Sequence, residues 1–351
     1  MIFDLGPYGI LFWGFSCLYM AGLSFALWLD LKKNRKLKPN LHSHRLSIII
    51  PFKNEAQNLP RLIHSINESY LPGNQIIFIN DHSHDNGEEI IRDQANFPFE
   101  ILKVPEGFSG KKSALHAGIN QAKNAFVLSL DADIVLPSSY FESLRKMEWA
   151  DLNILPVGMN AETPFQKWAA LEFDFLQHLG QGLAGAGKPE LCNGANLLFS
   201  KRAYQESASI RQDWEIPSGD DVFLLNAMKH LGKSIKSNAN EKLRVETPAP
   251  KNWEELLSQR NRWIQKMKGR LSRSQWISGG FLLLSQFSFY PLFFLTFLEP
   301  SLSIPLLIKL ISERISSKDS SFSALVIHQF WYPYYLLKLA LYPRKGNQKW
   351  K

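Results

Sequence analysis

Val127-Leu128-Ser129-Leu130-Asp131-Ala132-Asp133 is the stretch that decides the fold. A short apolar run of β-forming character ends abruptly in two carboxylates one residue apart, as expected of a buried strand that delivers acidic side chains to the rim of a sheet. Two carboxylates at that spacing can hold a divalent cation, and such a cation can neutralise a diphosphate as it leaves. Working outward, Leu46 to Ile50 reads as a strand ending at Pro51, and Asn54-Glu55 as the opening of a helix through about Ser69. Gln75 to Ile79 reads as a strand ending in Asn80-Asp81, and Ile101 to Val104 as another. Residues 46 to about 270 alternate such runs with amphipathic stretches, which predicts an α/β fold with a parallel or mostly parallel sheet covered by helices. Ligands in open α/β sheets gather beyond the carboxyl ends of strands, so Pro51 to Asn54, Asp81 and Asp131 to Asp133 are expected to converge on one crevice.

The chain has 351 residues and a net charge of +8, a balance that suits nucleic acid, an anionic membrane surface or phosphorylated substrates. Much of the charge clusters beside an apolar stretch, so no nucleic-acid partner is expected. Cys17 and Cys192 are the only cysteines, which excludes a disulfide framework or a cysteine-built metal site and fits a reducing compartment. Tyr8 to Leu29 carries no charge and has the length of a membrane-crossing helix, read here as residues 8–31. Asp4 precedes it, while Lys32, Lys33, Arg35, Lys36 and Lys38 follow it, so the positive-inside bias places the next domain in the cytoplasm. A cleaved signal peptide is the other reading, although its positive charge belongs before the apolar run. Trp276 to Leu298 and Phe322 to Tyr342 predict two further spans within a C-terminal membrane region, residues 276–342. Ser301 to Ile311, with Pro305 and Lys309, is too short to cross and suggests an interfacial or re-entrant helix. Three crossings follow, with two or four as alternatives.

Gly107-Phe108-Ser109-Gly110-Lys111-Lys112 leads into a helix near Ser113, where a cation and free amides would face an anion; an exposed turn with solvated lysines is the plainer reading. The spacing of its glycines is not that of a Walker loop. Gly180-Gln181-Gly182-Leu183-Ala184-Gly185 fits a dinucleotide glycine pattern but follows a helical stretch, Trp168 to Leu179, so a mobile loop near the site is expected instead. His82, His84 and Asp85 read as a polar turn rather than a metal cluster, since nothing nearby completes a tetrahedral set. Asp220-Asp221, after Pro217-Ser218-Gly219, opens a helix, and an acidic helix start is also a common stabilising device. Gln259, Arg262 and Trp263 fall on one helical face, where Trp can stack on a sugar and Gln and Arg can bond phosphate oxygens. A helix lying on a membrane surface would show the same pattern.

Taken in order, these residues resemble the inverting family 2 glycosyltransferases, nucleotide-sugar enzymes of the GT-A fold that include cellulose, chitin and hyaluronan synthases. The similar part runs from Ser47 to about Lys268. Ser47-Ile48-Ile49-Ile50-Pro51-Phe52-Lys53-Asn54-Glu55 resembles that family's first strand and base-binding turn, and Asn80-Asp81-His82-Ser83-His84-Asp85 stands where it usually has Asp-Asp-Gly-Ser-x-Asp. By that match Pro51, Lys53, Asn54, Glu55 and Asp81 would form the nucleotide pocket, with Asp81 on the base, and Lys111 would sit near the diphosphate. Asp131-Ala132-Asp133 matches the family's Asp-x-Asp, which implies Asp133 as a ligand of Mg²⁺ or Mn²⁺ and Asp131 as a contact to ribose or donor sugar and a second metal neighbour. Asp221 aligns with the catalytic base, with Asp220 beside it, although the family often has Glu-Asp where this chain has Asp220-Asp221. Gln259-Arg260-Asn261-Arg262-Trp263 fits Gln-x-x-Arg-Trp in full.

The resemblance implies transfer of a sugar from a nucleotide-sugar, a UDP-sugar above all, with inversion at the anomeric centre. Ceramide glucosyltransferase-like enzymes share both the Gln-x-x-Arg-Trp signature and the arrangement of one leading and a few trailing helices. The expected acceptor is therefore a lipid or lipid-linked glycan, and the expected place a bacterial inner membrane with the catalytic domain in the cytoplasm. A processive polysaccharide synthase is the alternative within the enzyme class. A sugar nucleotidyltransferase and a noncatalytic membrane scaffold are the alternatives outside it; the first would ordinarily carry a glycine-rich, arginine-bearing loop where this chain has Pro51-Phe52-Lys53-Asn54-Glu55.

Overall fold

The computed structural model describes residues 14, 18, 21–22, 45–211, 213–214, 220–267, 280, 283–284, 286–298, 300–316 and 322–342. Its centre is a seven-stranded sheet in which β1 (Leu46–Phe52) pairs in parallel with β2 (Gln75–Asn80) on one side and β4 (Phe126–Leu130) on the other. β3 (Glu100–Lys103) extends the sheet in parallel beyond β2. Past β4 lies β7 (Asn196–Ser200), antiparallel to both of its neighbours, then β5 (Leu152–Ile154) and β8 (Ile235–Ser237), which are parallel to each other. The sheet is mostly parallel, as the strand pattern predicts. β6 (Val157–Asn160) and β9 (Val245–Pro248) form a separate parallel pair, tied back by a bridge from Glu246 to Val135.

Both faces of the sheet are covered, and the period-2 geometry of the strands divides their side chains between two cores. Ile48, Ile50, Phe78 and Leu128 pack into one, whereas Ile49, Ile77, Ile79 and Val127 pack into the other. This explains why β1, β2 and β4 are continuous apolar runs rather than alternating ones. On the first face lies α1 (Leu59–Ser69), whose Leu59, Leu62, Ile63 and Ile66 recur at helical spacing and are fully buried. Removing a buried leucine or isoleucine of this kind from water is worth roughly 1.5–3 kcal/mol. This helix begins later than the sequence suggests, because Asn54 adopts a left-handed conformation (φ 54°) that no helix accommodates and Pro60 fits the first turn. α2 (Gly87–Gln94) follows β2 and packs beside α1. On the second face lies α3 (Lys111–Gln121), burying Ala114, Leu115 and Ile119 against β1 and β2.

After β4 come α4 (Tyr140–Arg145) and, beyond β5 and β6, α5 (Pro164–Gly185), which starts at a reciprocal cap: Thr163 accepts from the Gln166 N–H while Gln166 accepts from that of Thr163. The glycine-rich stretch 180–185 is the last part of this helix and not a mobile loop. Gly180 is there for close packing, since a Cβ at that position would stand 3.0 Å from the Leu191 Cβ. α6 (Lys201–Ala208) follows β7, α7 (Asp220–His230) leads to β8, and α8 (Trp253–Met267) follows β9.

The C-terminal helices are α9 (Phe289–Leu295), α10 (Ser303–Ser316) and α11 (Phe322–Leu341). Among the described residues no helix is both long and apolar enough to cross a membrane. At 14 residues α10 is short of the roughly 20 that a bilayer requires. α11 reaches 20 residues, but His328, Gln329 and Lys338 lower its apolarity, and it carries Pro333 inside. Of the expected span 8–31 only residues 14, 18, 21 and 22 are described, all helical; the rest of it, and residues 276–279, 281–282 and 285 of the Trp276 to Leu298 stretch, lie outside the described residues.

Candidate active site

Because β1, β2 and β4 are parallel and in register, their carboxyl ends reach the same edge of the sheet: Pro51 lies opposite Ile79, and Phe52 opposite Asn80. Asp81 follows β2 directly, its N–H donating to the carbonyl of Phe52 at 3.0 Å. The Asp81 side chain is wholly buried, accepts from the Gly110 N–H at 2.9 Å, and lies 3.5 Å from the Lys53 ammonium. Its Oδ1 is buried without any hydrogen-bond partner. A desolvated carboxylate oxygen in this state demands a donor. The turns around it interlock. The N–H of Asn54 donates to the Ser83 hydroxyl, that of His84 to the Asn54 side chain, and that of Ala56 to Asp85. His82 and Asp85 thus build the turn rather than a metal site, His82 turning with φ 55° and setting Nε2 2.9 Å from the carbonyl of Phe108.

Gly110, at φ 94°, turns the chain into α3 and leaves Lys111 in its first turn. The Lys111 ammonium is 2.5 Å from Asp131 Oδ1 and 4.0 Å from Asp220 Oδ2. Burial disfavours its charge, but Asp131, Asp220 and Asp221 outweigh that cost and hold it protonated well above the usual lysine range. Asp220 and Asp221 open α7, as the sequence indicates, and the two have different surroundings. Asp220 faces Lys111, whereas Asp221 accepts from the Gly194 N–H at 3.1 Å and from the Val222 N–H at 2.8 Å.

Gly194 carries no sequence signal and is central to this corner. A Cβ there would lie 3.3 Å from Asp220 Oδ2, 3.3 Å from Lys111 Nζ and 3.4 Å from Asp221 Cβ. A side chain at this point would press on all three groups, which would have to give by a few tenths of an ångström. β7 starts just after it, and its register, with Asn196 opposite Leu130, sets Gly194 beside the carboxyl end of β4. A small pocket on the α3 and α6 side reaches Asp220 and Asp221 past Tyr204, Arg211 and Lys112. Arg211 and Lys112 are both ion-paired with Asp213.

Asp133 accepts from the hydroxyl of Thr247, on β9, at 3.2 Å. Desolvation, followed by the charges of Asp131 and Glu55, pushes its carboxyl up to about 7. Glu55, from the turn after β1, thus belongs electrostatically with the Asp131-Ala132-Asp133 pair. Among the described residues no group of three or more His, Cys, Asp or Glu side chains is placed to hold a metal ion by itself. Carboxylates crowded in the way of Asp133, Asp131 and Glu55 nevertheless suit a cation that completes its shell with phosphate oxygens and water.

Gln259, Arg262 and Trp263 share α8, which begins shortly after the strand that carries Thr247. Trp263 packs against Phe173 at 5.9 Å between ring centroids and lies under the guanidinium of Arg260, 4.3 Å away. Its described contacts are with those two side chains, not with the carboxylates. Gln259 accepts from Arg260. Arg262 is half-buried, and desolvation alone lowers its guanidinium below the usual range. The structure thus gathers Glu55, Lys111, Asp131, Asp133, Asp220 and Asp221 at one edge, with Asp81 and Lys53 joined to them through Gly110.

Residues 47–205 match the family model described as glycosyl transferase family 2, which runs from β1 into α6 and takes in the ends of β1, β2 and β4, whereas Asp220, Asp221, Thr247 and α8 lie beyond it. This segment is a family 2 glycosyltransferase domain. Curated relatives match it in part. A poly-β-1,6-N-acetyl-D-glucosamine synthase of Staphylococcus epidermidis is 37% identical over 92 residues, 26% of this chain and 22% of the relative. An undecaprenyl-phosphate 4-deoxy-4-formamido-L-arabinose transferase of Proteus mirabilis is 32% identical over 99 residues, 27% of this chain and 30% of the relative. The chain thus spans less than a third of the length of these relatives. Among solved structures, the mannosyltransferase PcManGT from Pyrobaculum calidifontis, in complex with GDP-Man and Mn²⁺, superposes with a TM-score of 0.50 at 13% identity, covering 94% of this chain and 98% of that one. At that identity the likeness concerns the fold, and it agrees with the GT-A architecture of a family 2 domain.

Proposed function

We propose that the protein transfers a sugar from a nucleotide-sugar to a hydroxyl of a lipid or lipid-linked acceptor, with inversion, at a membrane surface. The observation that carries this is the division of labour between two adjacent aspartates. Asp220 faces the Lys111 ammonium, while Asp221 has both carboxylate oxygens oriented by backbone N–H groups. A carboxylate so fixed can take the acceptor's proton as the acceptor oxygen bonds to the anomeric carbon. The bond from that carbon to the diphosphate oxygen breaks in the same step, and the nucleoside diphosphate leaves with the electron pair. Lys111 and Arg262 supply positive charge for the leaving group. Asp133 and Asp131 would hold Mg²⁺ or Mn²⁺, which when bound adds further charge neutralisation at the diphosphate. Asp81, whose buried Oδ1 lacks a donor, is suited to an N–H of the base; a UDP-sugar is the favoured donor. Trp263 would stack on a sugar on the acceptor side, and Gln259 would bond the acceptor or the diphosphate.

What supports a membrane surface is the inverted polarity of the C-terminal helices. On α10 the apolar Ile304, Leu307 and Ile311 are 60%, 50% and 57% exposed, whereas Lys309 and Glu313 are 0% and 4% exposed. Lys309 is 2.5 Å from Glu313 and also meets the buried Gln286 and Gln329. α11 repeats the pattern, exposing Ile327, Trp331, Leu337 and Leu341 around the buried Gln329. Such a surface is stable against lipid rather than water. The charge pattern around residues 8–31 favours the cytoplasmic face of a bacterial inner membrane. One-step transfer is the preferred reading, with a processive synthase as the alternative.

The experiment is to incubate the full chain in detergent with Mg²⁺ or Mn²⁺ and a panel of UDP- and GDP-sugars, with and without extracted lipids, following nucleoside diphosphate release and labelled product. Release stimulated by lipid, with label in the lipid phase, supports the proposal; a high-mass polymer would favour the synthase, and no release from any donor would refute both.

A further inference from the structure

Three side chains outside the site described above meet where α5, α8 and α11 converge. Glu172, Arg260 and Tyr335 are 2%, 3% and 2% exposed. Arg260 donates from Nε to Glu172 Oε2 at 3.1 Å and from Nη2 to the same oxygen, while the Tyr335 hydroxyl donates to Glu172 Oε1 at 3.3 Å from a helix 163 residues away. The remaining nitrogen of Arg260, Nη1, donates to Gln259 Oε1, and the guanidinium lies 4.3 Å from the centre of the Trp263 ring.

A guanidinium is a rigid plane with its donors in a fixed fork. Here its edges are committed to Glu172 and Gln259 while the Trp263 ring lies close by. Its orientation is thereby fixed, and it fixes the indole and the amide in turn. Burial makes the arrangement exacting, because an ionised pair out of water is retained only when its geometry is satisfied. Tyr335 comes from α11, so the carboxylate that anchors Arg260 is itself completed by the C-terminal helices.

We infer that Arg260 is a positioning residue that sets the plane of Trp263 and the amide of Gln259, and that Tyr335 makes this setting depend on α11 being seated against α8. The functional half of the inference rests on the proposed sugar transfer; the positional half does not. Contact between the C-terminal helices and lipid would then be felt at the acceptor side of the site without any contact to the donor.

The full chain labelled with 5-fluorotryptophan tests this by fluorine NMR, with the Trp263 resonance assigned by its loss in Trp263→Phe. Arg260→Lys keeps the charge and discards the plane; Tyr335→Phe discards one hydroxyl and keeps the ring. Both variants should shift the Trp263 resonance, the lysine variant more, and leave that of Trp149, which packs against Phe126 elsewhere, in place. In turnover, Arg260→Lys should lower kcat about tenfold or more, with nucleotide-sugar affinity unchanged within about twofold, as expected when an acceptor-side group is misplaced. An unmoved Trp263 resonance in both variants, or one that shifts together with Trp149, would overturn the inference. Absence of transfer by the unsubstituted chain would instead count against the proposed reaction and leave the fluorine result standing.

Discussion

The backbone N–H of Gly194 donates to Oδ2 of Asp221 at 3.1 Å, joining the start of the antiparallel strand β7 to the first turn of α7. Through that bond a residue with no side chain orients a carboxylate, and the same residue leaves room for Lys111 and Asp220. Replacing Gly194 with alanine should therefore disturb the corner at its tightest point. The expected outcome is a fall in turnover of about tenfold, since the groups must give by a few tenths of an ångström and a full ångström costs on the order of a hundredfold. Thermal melting should stay close to that of the parent, and steady-state kinetics beside calorimetric melting would check both.

Asp133 links the cation to pH. Its carboxyl is pushed up to about 7 by desolvation and by the charges of Asp131 and Glu55. Below the ordinary carboxyl range it is protonated in both folded and unfolded chains. As pH rises from about 4 to 7 the unfolded chain releases this proton more readily than the folded one, so the metal-free protein loses stability across that window. A bound cation reverses the penalty. Mn²⁺ affinity in the presence of nucleoside diphosphate should rise between pH 6 and 8 with release of a proton, and Asp133→Asn should abolish the rise. Titration calorimetry in two buffers of different ionisation enthalpy would measure it.

How much of this was legible in the sequence depends on which way each strand runs. The ends of β1, β2 and β4 announce themselves, because a parallel strand presents its carboxyl terminus to the site and the apolar run simply stops at Pro51, Asp81 or Asp131. β7 runs the other way, so its contribution, Gly194, precedes the strand and looks like any loop glycine. Thr247 is equally silent, a lone hydroxyl on a four-residue strand whose partnership with Asp133 spans 114 positions. The 180–185 stretch misleads for the opposite reason: it is helical, and its first glycine, Gly180, marks close packing on Leu191 rather than backbone freedom. Arg260 hides inside a motif whose recognised members flank it.

Asp81 tests the nucleotide pocket. Its Oδ1 is buried without a donor while Oδ2 is occupied by Gly110 and Lys53. Asp81→Asn should weaken nucleoside diphosphate binding about tenfold or more, the value of a hydrogen bond to a buried charge. Lys53 sits on the partly exposed side of the same carboxylate, and Lys53→Met should cost less. Equilibrium binding of UDP and GDP to each variant would rank the two.

The inverted helices predict a lipid dependence. Leu307→Asp on the exposed face of α10 should abolish flotation with vesicles of anionic phospholipid, because a charge on an inserting face is costly. Lys309→Met should act differently: by stranding Glu313 and Gln329 it should lower the melting temperature while leaving the outer surface intact. Flotation and melting measured on both variants would separate surface from interior.

The central claim is that Asp221 takes the proton, and it is tested most directly by Asp221→Asn, assayed for sugar transfer and for nucleotide-sugar binding side by side. The account predicts that transfer falls below detection while the dissociation constant of the nucleotide-sugar changes by no more than about twofold, because uniform binding is untouched when only a transition-state role is removed. Retained transfer, or equal loss of transfer and binding, would contradict it.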